Sequence, residues 1–249
     1  MTSVFLATPY SKPYNAQYWK SLIVSAYSDF QIEHKDVYGF GIEAARNFLV
    51  EVFKLSNHDY MLFADSDASW AEGAIKRLAD HNLPMVCGCM YTRDSAIPSP
   101  TFGQFIGIHE GKHYYKYAET AKVVVEHCWS KGIREVERND ILLPQSKNDL
   151  YNIDGCGMHF TLIRRDVIEA LEPPYFIMLG KTGAGEDFYF CRKVREAGFP
   201  IYADLSVHTG HVLNDDRDWG IKELLYIMSL FNPEDIQYND VLPPSLITE

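Results

Sequence analysis

The sequence predicts an α/β fold, a mostly parallel central sheet flanked by helices in a single domain over residues 1–249. Three observations predict it. Short segments that are apolar throughout ("SVFLAT", "YMLFA", "MVCGCMY") alternate with amphipathic helical patterns. Strands apolar on both faces belong to sheets covered on both sides, and the helices supply that cover. A D-x-D pair, Asp65 and Asp67, ends the second apolar segment. Open α/β sheets hold their ligands outside the carboxyl ends of their strands.

Each element follows from its pattern. "SVFLAT" is the first strand. From Ile42 to Phe53, the residues Ile42, Ala45, Leu49, Val52 and Phe53 share one helical face. "YMLFA" is the next strand. Ser69 and Glu72 have capping-box spacing, which predicts a helix over "WAEGAIKRLAD". "MVCGCMY" is the third strand. "TPYS", "DSD" and "TRD", which follow these three strands, are expected to face the site. Residues 1–100 read as a nucleotide-binding half and 151–249 as an acceptor and catalytic half. Residues 101–150 mix helix and strand signals and read as a variable excursion, with "KHYYKY" an exposed strand. Order returns with a glycine-rich turn, the strand "HFTLI" and a short helix. A helix over "GEDFYFCRKVREAGFP" stops at Gly198 and Pro200. The strand "IYADLSV" and the helix "WGIKELLYIMSLF" close the chain.

Bulk properties narrow the function. The net charge of −11 opposes binding to nucleic acid or to an anionic membrane. The five cysteines are odd in number and scattered, against a disulfide framework. Cys87 and Cys89 sit in an apolar run and read as buried strand thiols. The amino terminus lacks the basic region of a signal peptide, and no apolar stretch reaches the roughly 20 residues that span a bilayer. A reduced, cytoplasmic setting is expected.

The D-x-D carries the first candidate chemistry. If the strand persists, Asp65 and Asp67 point to one side. Two carboxylates in reach of each other repel, and a divalent cation removes the conflict. Oxygen ligands suit Mg²⁺ or Mn²⁺, which take substrate phosphates as further ligands. A solvated turn beside a helix start accounts for the same residues. The second candidate is "GAGEDFYF". Asp187 heads the apolar face shared by Phe190, Cys191 and Val194, whereas Glu186 lies on the polar face and is expected to be solvated. A helix cap is the plainer role for Asp187. The third is "VHTGH". His208 continues a strand, and His211 lies past a glycine turn from which it can reach a cleft. An imidazole suits Mn²⁺ better than Mg²⁺. Arg46, Arg93 and Lys181 are each able to pair with a diphosphate or to stand as exposed charges.

The ordered set "FLATPYS", "EAARNFLVEVF", "YMLFADSD", "DGCGMHFTLIRRDVIEAL" and "GEDFYFCRKVREAGFPIYADLSVHTGH" resembles the GT-A-fold, nucleotide-sugar-dependent glycosyltransferases. It is most similar to small family-2-like and mannan-polymerase-like members of a sort found in phages and large viruses. The resemblance spans roughly residues 3 to 212, apart from 101–150. It implies that Thr8, Pro9 and Tyr10 cradle the nucleotide base and ribose, and that Arg46 lies near the nucleotide or diphosphate. Asp65 would contact the ribose or metal-bound water. Asp67 would ligate the metal with His211, and Asp65 belongs to the same metal set. Gly155, Cys156 and Gly157 would lie along the donor sugar. Asp187 would face the acceptor, as the catalytic base of inverting members. The implied cofactor is Mn²⁺ or Mg²⁺, the implied donor a UDP- or GDP-sugar, and the implied acceptor a glycan or other hydroxyl. The sequence departs from the pattern in lacking a Q-x-x-R-W signature after the "ED" helix, which leaves the stereochemistry open and argues against a processive synthase.

Two other functions compete. A sugar nucleotidyltransferase would carry a glycine-rich loop for a triphosphate, and "ATPYSKPYN" has Lys12 but no glycine. A non-catalytic nucleotide- or carbohydrate-binding module would have little need for Asp65, Asp67, Asp187 and His211 together. Glycosylation of DNA bases is disfavoured by the net charge.

Overall fold

A computed structural model of the chain describes residues 2–10, 13–26, 31–92, 99–109, 112–116, 118–178, 185–213 and 218–230. The first half runs β1 (Ser3–Tyr10), α1 (Ala16–Ala26), β2 (Gln31–Tyr38), α2 (Ile42–Lys54), β3 (Tyr60–Ala64), β4 (Ala68–Ser69), α3 (Ala74–Asp80) and β5 (Met85–Cys89). Next come β6 (Phe102–His109), β7 (Lys112–Lys116), α4 (Ala118–Ser130), β8 (Ile141–Leu142), β9 (Leu150–Ile153) and β10 (Gly155–Cys156). The remainder is β11 (Phe160–Arg164), α5 (Arg165–Glu169), α6 (Glu186–Glu196), β12 (Ile201–His208), β13 (Gly210–Val212), β14 (Asp218–Trp219) and α7 (Ile221–Leu230).

The main sheet has the order β2-β1-β3-β11-β5-β12-β8, with β9 also pairing β12. β2, β1, β3, β5 and β12 share one direction, while β11 runs against both β3 and β5. This reversed strand places the residue before Phe160 beside the end of β3, since Phe160 pairs with Ala64.

Period-two alternation buries both faces of the sheet. Phe5, Ala7, Met61 and Phe63 face one core with Leu49 and Phe53 of α2 and Phe190 and Val194 of α6. Val4, Leu6 and Leu62 face the other with Tyr18 of α1 and Ile75 and Leu78 of α3. Full burial of each such side chain stabilises the fold by roughly 1.5–3 kcal/mol. Cys87 and Cys89 are buried strand thiols, as expected, and all five cysteines are free. The expected stop of α6 also forms. Gly198 takes φ +87°, and the Gly198 and Phe199 N–H groups donate to the Arg195 and Val194 carbonyls.

One expectation about the elements changes. Ser69 does not cap a helix. Its backbone pairs with Gly210 in β4–β13, and α3 begins only at Ala74, after Gly73 at φ 81°. Trp70 is the cause. It is buried, and its backbone N–H and indole Nε1–H donate to Ser21 and Ser25 Oγ of α1, both at 2.9 Å, which pins the segment before it can coil. The described part of residues 101–150 carries regular structure. β6 and β7 form a hairpin that β10 extends, and α4 packs into the core through Val124 and Val125. Arg93 and Lys181 lie outside the described residues. Among those described, no helix is long and apolar enough to cross a membrane.

Candidate active site

The D-x-D sits on a turn, not on the strand. β3 ends at Ala64, and the Ala68 N–H closes back onto the Asp65 carbonyl at 3.0 Å. Three tethers fix this turn. Asn15 caps α1 by accepting from the Tyr18 N–H at 2.7 Å, and its amide donates to the Ser66 carbonyl at 3.2 Å. The Asp65 N–H donates to the His159 carbonyl at 3.1 Å, and the Asp67 carbonyl accepts from Val212 N–H at 2.8 Å. The turn is thereby tied to α1, to the start of β11 and to β13.

Arg46 is the buried cation of the site. Its guanidinium lies 2.5 Å from Glu186 and 3.1 Å from Asp65, beside the contacting rings of Phe63 and Phe176. Burial opposes its charge, but Asp65, Glu186 and Asp187 together outweigh that and raise its pKa. Burial likewise pushes the Asp65 carboxyl up, yet Arg46 and His159 overcome it and the net shift is downward. Glu186 is not solvated as the helical wheel suggested. It is 8% exposed because Arg46 reaches it from a helix 140 positions earlier.

Asp187 starts α6 on the cleft side, and its Oδ1 accepts from the Phe188 N–H at 2.8 Å. Burial, with Glu186 and Asp65 adding repulsion against Arg46, pushes its pKa up to about 6. Glycines make room around it. A Cβ at Gly185 would stand 2.8 Å from its Oδ1, and one at Gly157 3.6 Å from its Oδ2. Gly155 serves packing, since a Cβ there would meet the Phe188 ring at 2.6 Å. Cys156 turns inward, its N–H meeting Cys191 Sγ at 3.4 Å, so this segment offers the cleft Gly157 and backbone. Tyr115 of β7 packs on Phe188 in a tilted contact, with ring centroids 4.4 Å apart, and brings the paired strands β6 and β7 to the rim.

Thr8 is buried, bonded to Tyr18 at 2.5 Å and to His34 at 3.2 Å. Pro9 is buried too. Tyr10 is half-buried and packs on Tyr14 and Tyr38, at 4.8 and 5.0 Å between centroids. Tyr14 donates to Asp36 at 3.1 Å. The carboxyl ends of β1 and β2 thus carry an aromatic platform edged by a carboxylate. The run "YSKPYNAQYW" is the signal that could have located it.

His211 and Asp67 meet as the sequence suggested, at 3.4 Å. His159 joins them and was missed. It lies 3.7 Å from Asp67 and 3.3 Å from Asp65. Among the described residues, Asp67, His159 and His211 form the group able to hold a metal ion, with donor atoms all within 4.8 Å of one another. His208 stays in the core, bonded to Tyr91 at 2.8 Å, and burial lowers its pKa to about 3. A wide cavity of about 640 Å³ lies at the opposite, amino ends of β1 and β3. Its polar groups answer one another, as in Arg164–Asp166 and Asp59–Ser3, and it does not belong to this site.

No family model matches this chain, and no curated protein does. Solved structures do match. The crystal structure of A197 from STIV has 17% identity and a TM-score of 0.53, over 88% of this chain and 93% of that one. That likeness shows the fold alone, a mostly parallel α/β sheet flanked by helices. S. aureus TarS 1–349 in complex with UDP-GlcNAc matches at a TM-score of 0.46 and 14% identity. That match covers 84% of this chain and 58% of the TarS chain.

Proposed function

We propose that the chain is a glycosyltransferase that moves a sugar from a UDP- or GDP-sugar to a hydroxyl acceptor, with a divalent cation beside the donor diphosphate. One observation carries the reading. Asp65 and Asp67 after β3, Arg46 of α2, Asp187 of α6 and His211 of β13 converge on one cleft at the carboxyl ends of the strands. Among the described residues, four carboxylates (Asp65, Asp67, Glu186 and Asp187) share this cleft with one arginine, so a bound cation would offset charge that these groups leave unbalanced. The donor set fits such an ion. His211 Nδ1 is 2.9 Å from the Tyr91 carbonyl, which only accepts, so Nε2 presents its lone pair toward Asp67.

Each residue has a task in the transfer. The Tyr10 and Tyr38 platform, with Thr8, Pro9 and Asp36, would hold the base and ribose. Asp67 and His211 would hold the cation, with Asp65 beside them, and when bound the ion supplies Lewis-acid stabilisation of charge on the diphosphate. Gly157 and the neighbouring backbone of Gly155 and Cys156 border the sugar. The acceptor oxygen bonds to the anomeric carbon as that carbon's bond to the diphosphate oxygen breaks. Asp187 takes the acceptor proton in the inverting course, a contribution of typically 10²–10⁴-fold. In a retaining course it positions the acceptor. Thr101 and the β6–β7 hairpin, at the Asp187 rim, provide the acceptor side. Five free buried thiols suit a reducing compartment such as the cytoplasm.

A thermal-shift panel of UDP, GDP, CDP and their sugars, with and without Mn²⁺, tests the reading. A ligand at about 100 times its Kd stabilises by roughly 2.7 kcal/mol, which raises Tm by roughly 5–10 °C in a chain of this size. No shift with any nucleotide–metal pair would sink the proposal.

A further inference from the structure

We propose that His159 is a direct ligand in a two-histidine, one-carboxylate site with Asp67 and His211, and that this donor set selects first-row transition ions over Mg²⁺. The inference rests on the cation of the reading above and not on its sugar donor.

The distances suit one ion. Donors bound about 2.1 Å from a shared ion lie roughly 3.0 Å apart when adjacent and roughly 4.2 Å apart when opposite. Asp67 Oδ2 is 3.4 Å from His211 Nε2, and Asp67 Oδ1 is 3.7 Å from His159 Nδ1. The two rings lie 4.6 Å apart, centroid to centroid. Small side-chain adjustments bring all three donors onto one centre.

His159 is buried beside the D-x-D turn. It is 2% exposed, and among the described residues its Nε2, like that of His208 in the core, has no hydrogen-bond partner. Its Nδ1 faces the carboxylates of Asp65 and Asp67. The ion would sit at Nδ1, the nitrogen nearest the carboxylates, and a neutral ring would then keep its proton on Nε2. Asp65 is committed elsewhere, receiving both Arg46 contacts at 3.1 and 3.4 Å. In this assignment Asp65 balances Arg46, its 3.3 Å contact with His159 Nδ1 gives way to the ion, and His159 fills the coordination place that the D-x-D pattern suggests for Asp65. Mg²⁺ prefers oxygen donors, whereas imidazole affinity rises from Mn²⁺ toward Co²⁺.

The test uses Mn²⁺ and Co²⁺ as probes on the full chain, alone and with UDP or GDP. Pulsed EPR of bound Mn²⁺ is expected to show nitrogen couplings from two imidazoles. One imidazole, none, or no bound Mn²⁺ in any arm would overturn the assignment without recourse to a variant. In titrations, His159→Ala and the milder His159→Gln are expected to weaken Mn²⁺ and Co²⁺ binding by about ten-fold or more, with Mg²⁺ changed by less than about two-fold. Equal losses for all three ions, or none, would overturn it. The two proposals fail separately. Two-imidazole Mn²⁺ with no sugar-nucleotide binding removes the transferase and leaves the site. Transfer as fast in Mg²⁺ as in Mn²⁺, and untouched by His159→Gln, removes the site and leaves the transferase.

Discussion

Two regions of this molecule bury carboxylates, and they treat them in opposite ways. Beside β12, Asp204 receives the Ser206 N–H and Oγ–H at 2.8 and 2.7 Å and lies 2.7 Å from His81 Nε2. Asp149 receives Lys131 Nζ at 2.7 Å and two bonds from Ser146 at 2.6 Å. Burial alone would raise the Asp149 pKa, but those donors outweigh it and the carboxyl is held below its ordinary value. In the cleft Asp187 accepts from its neighbouring Phe188 N–H, faces repulsion from Glu186 and Asp65, and titrates near 6. The first region spends its hydrogen-bonding capacity on the fold. The second leaves capacity unspent, which is what a site needs in order to bind and to accept a proton.

The sharpest way to break this contrast is to neutralise one acid in each region. Asp187→Asn is expected to lower turnover by about 10²–10⁴-fold. It is also expected to raise stability at pH 7. Because the folded pKa lies above the unfolded one, ionising Asp187 costs stability as pH rises from about 4 through about 6. Removing that charge recovers up to about 3 kcal/mol, less whatever water in the cleft already screens. Asp149→Asn is expected to do the reverse. It should destabilise by about 3–5 kcal/mol, because Lys131 is left without its buried counter-charge. Its native contribution is present above the unfolded pKa and fades as pH falls below about 4. Urea melts of both variants at pH 7 decide it, and shifts of the same sign would erase the distinction. In the wild type, turnover should fall as pH drops through about 6.

Arg46→Met comes next. It leaves Asp65 and Glu186 buried without their cation and is expected to cost about 3–5 kcal/mol. It should also move the acid limb of the pH–rate profile upward, since the Arg46 charge opposes the rise in the Asp187 pKa. An unmoved limb would separate Arg46 from the titration of Asp187. The smallest effect is expected for His81→Ala, which removes one of three Asp204 partners. A loss of about 1–3 kcal/mol with unchanged turnover per folded molecule is the outcome that keeps this network structural.

Much of this cleft was legible in the residue order. A fully apolar strand ending in aspartates announces a ligand-facing turn, and Asp187 heads the inward stripe of its helix. Gly198 and Pro200 mark where that helix stops. Local pattern misled at three places. β2 went unread because "QIEHKDVY" forms an edge strand, where polar side chains are tolerated. Ser69 and Glu72 have capping-box spacing, but Trp70 is held by α1 in an extended turn. Glu186 lies on a polar helical face, and only the distant Arg46 makes that face an interior one.

The sequence by itself determined the central strands β1, β3, β5, β11 and β12, the place of the D-x-D after β3, the inward acid and the late histidine, because each depends on periodicity or on neighbours within a few positions. The tertiary structure alone decided which groups meet. β11 runs backwards between β3 and β5, which sets His159 beside Asp65 and Asp67 across more than ninety positions. Arg46 divides its charge between a turn 19 positions away and a helix 140 positions away. A residue's chemistry can be read where it stands in the chain, but the charges that shift it arrive through strand register and helix packing, and neither of those is a local property.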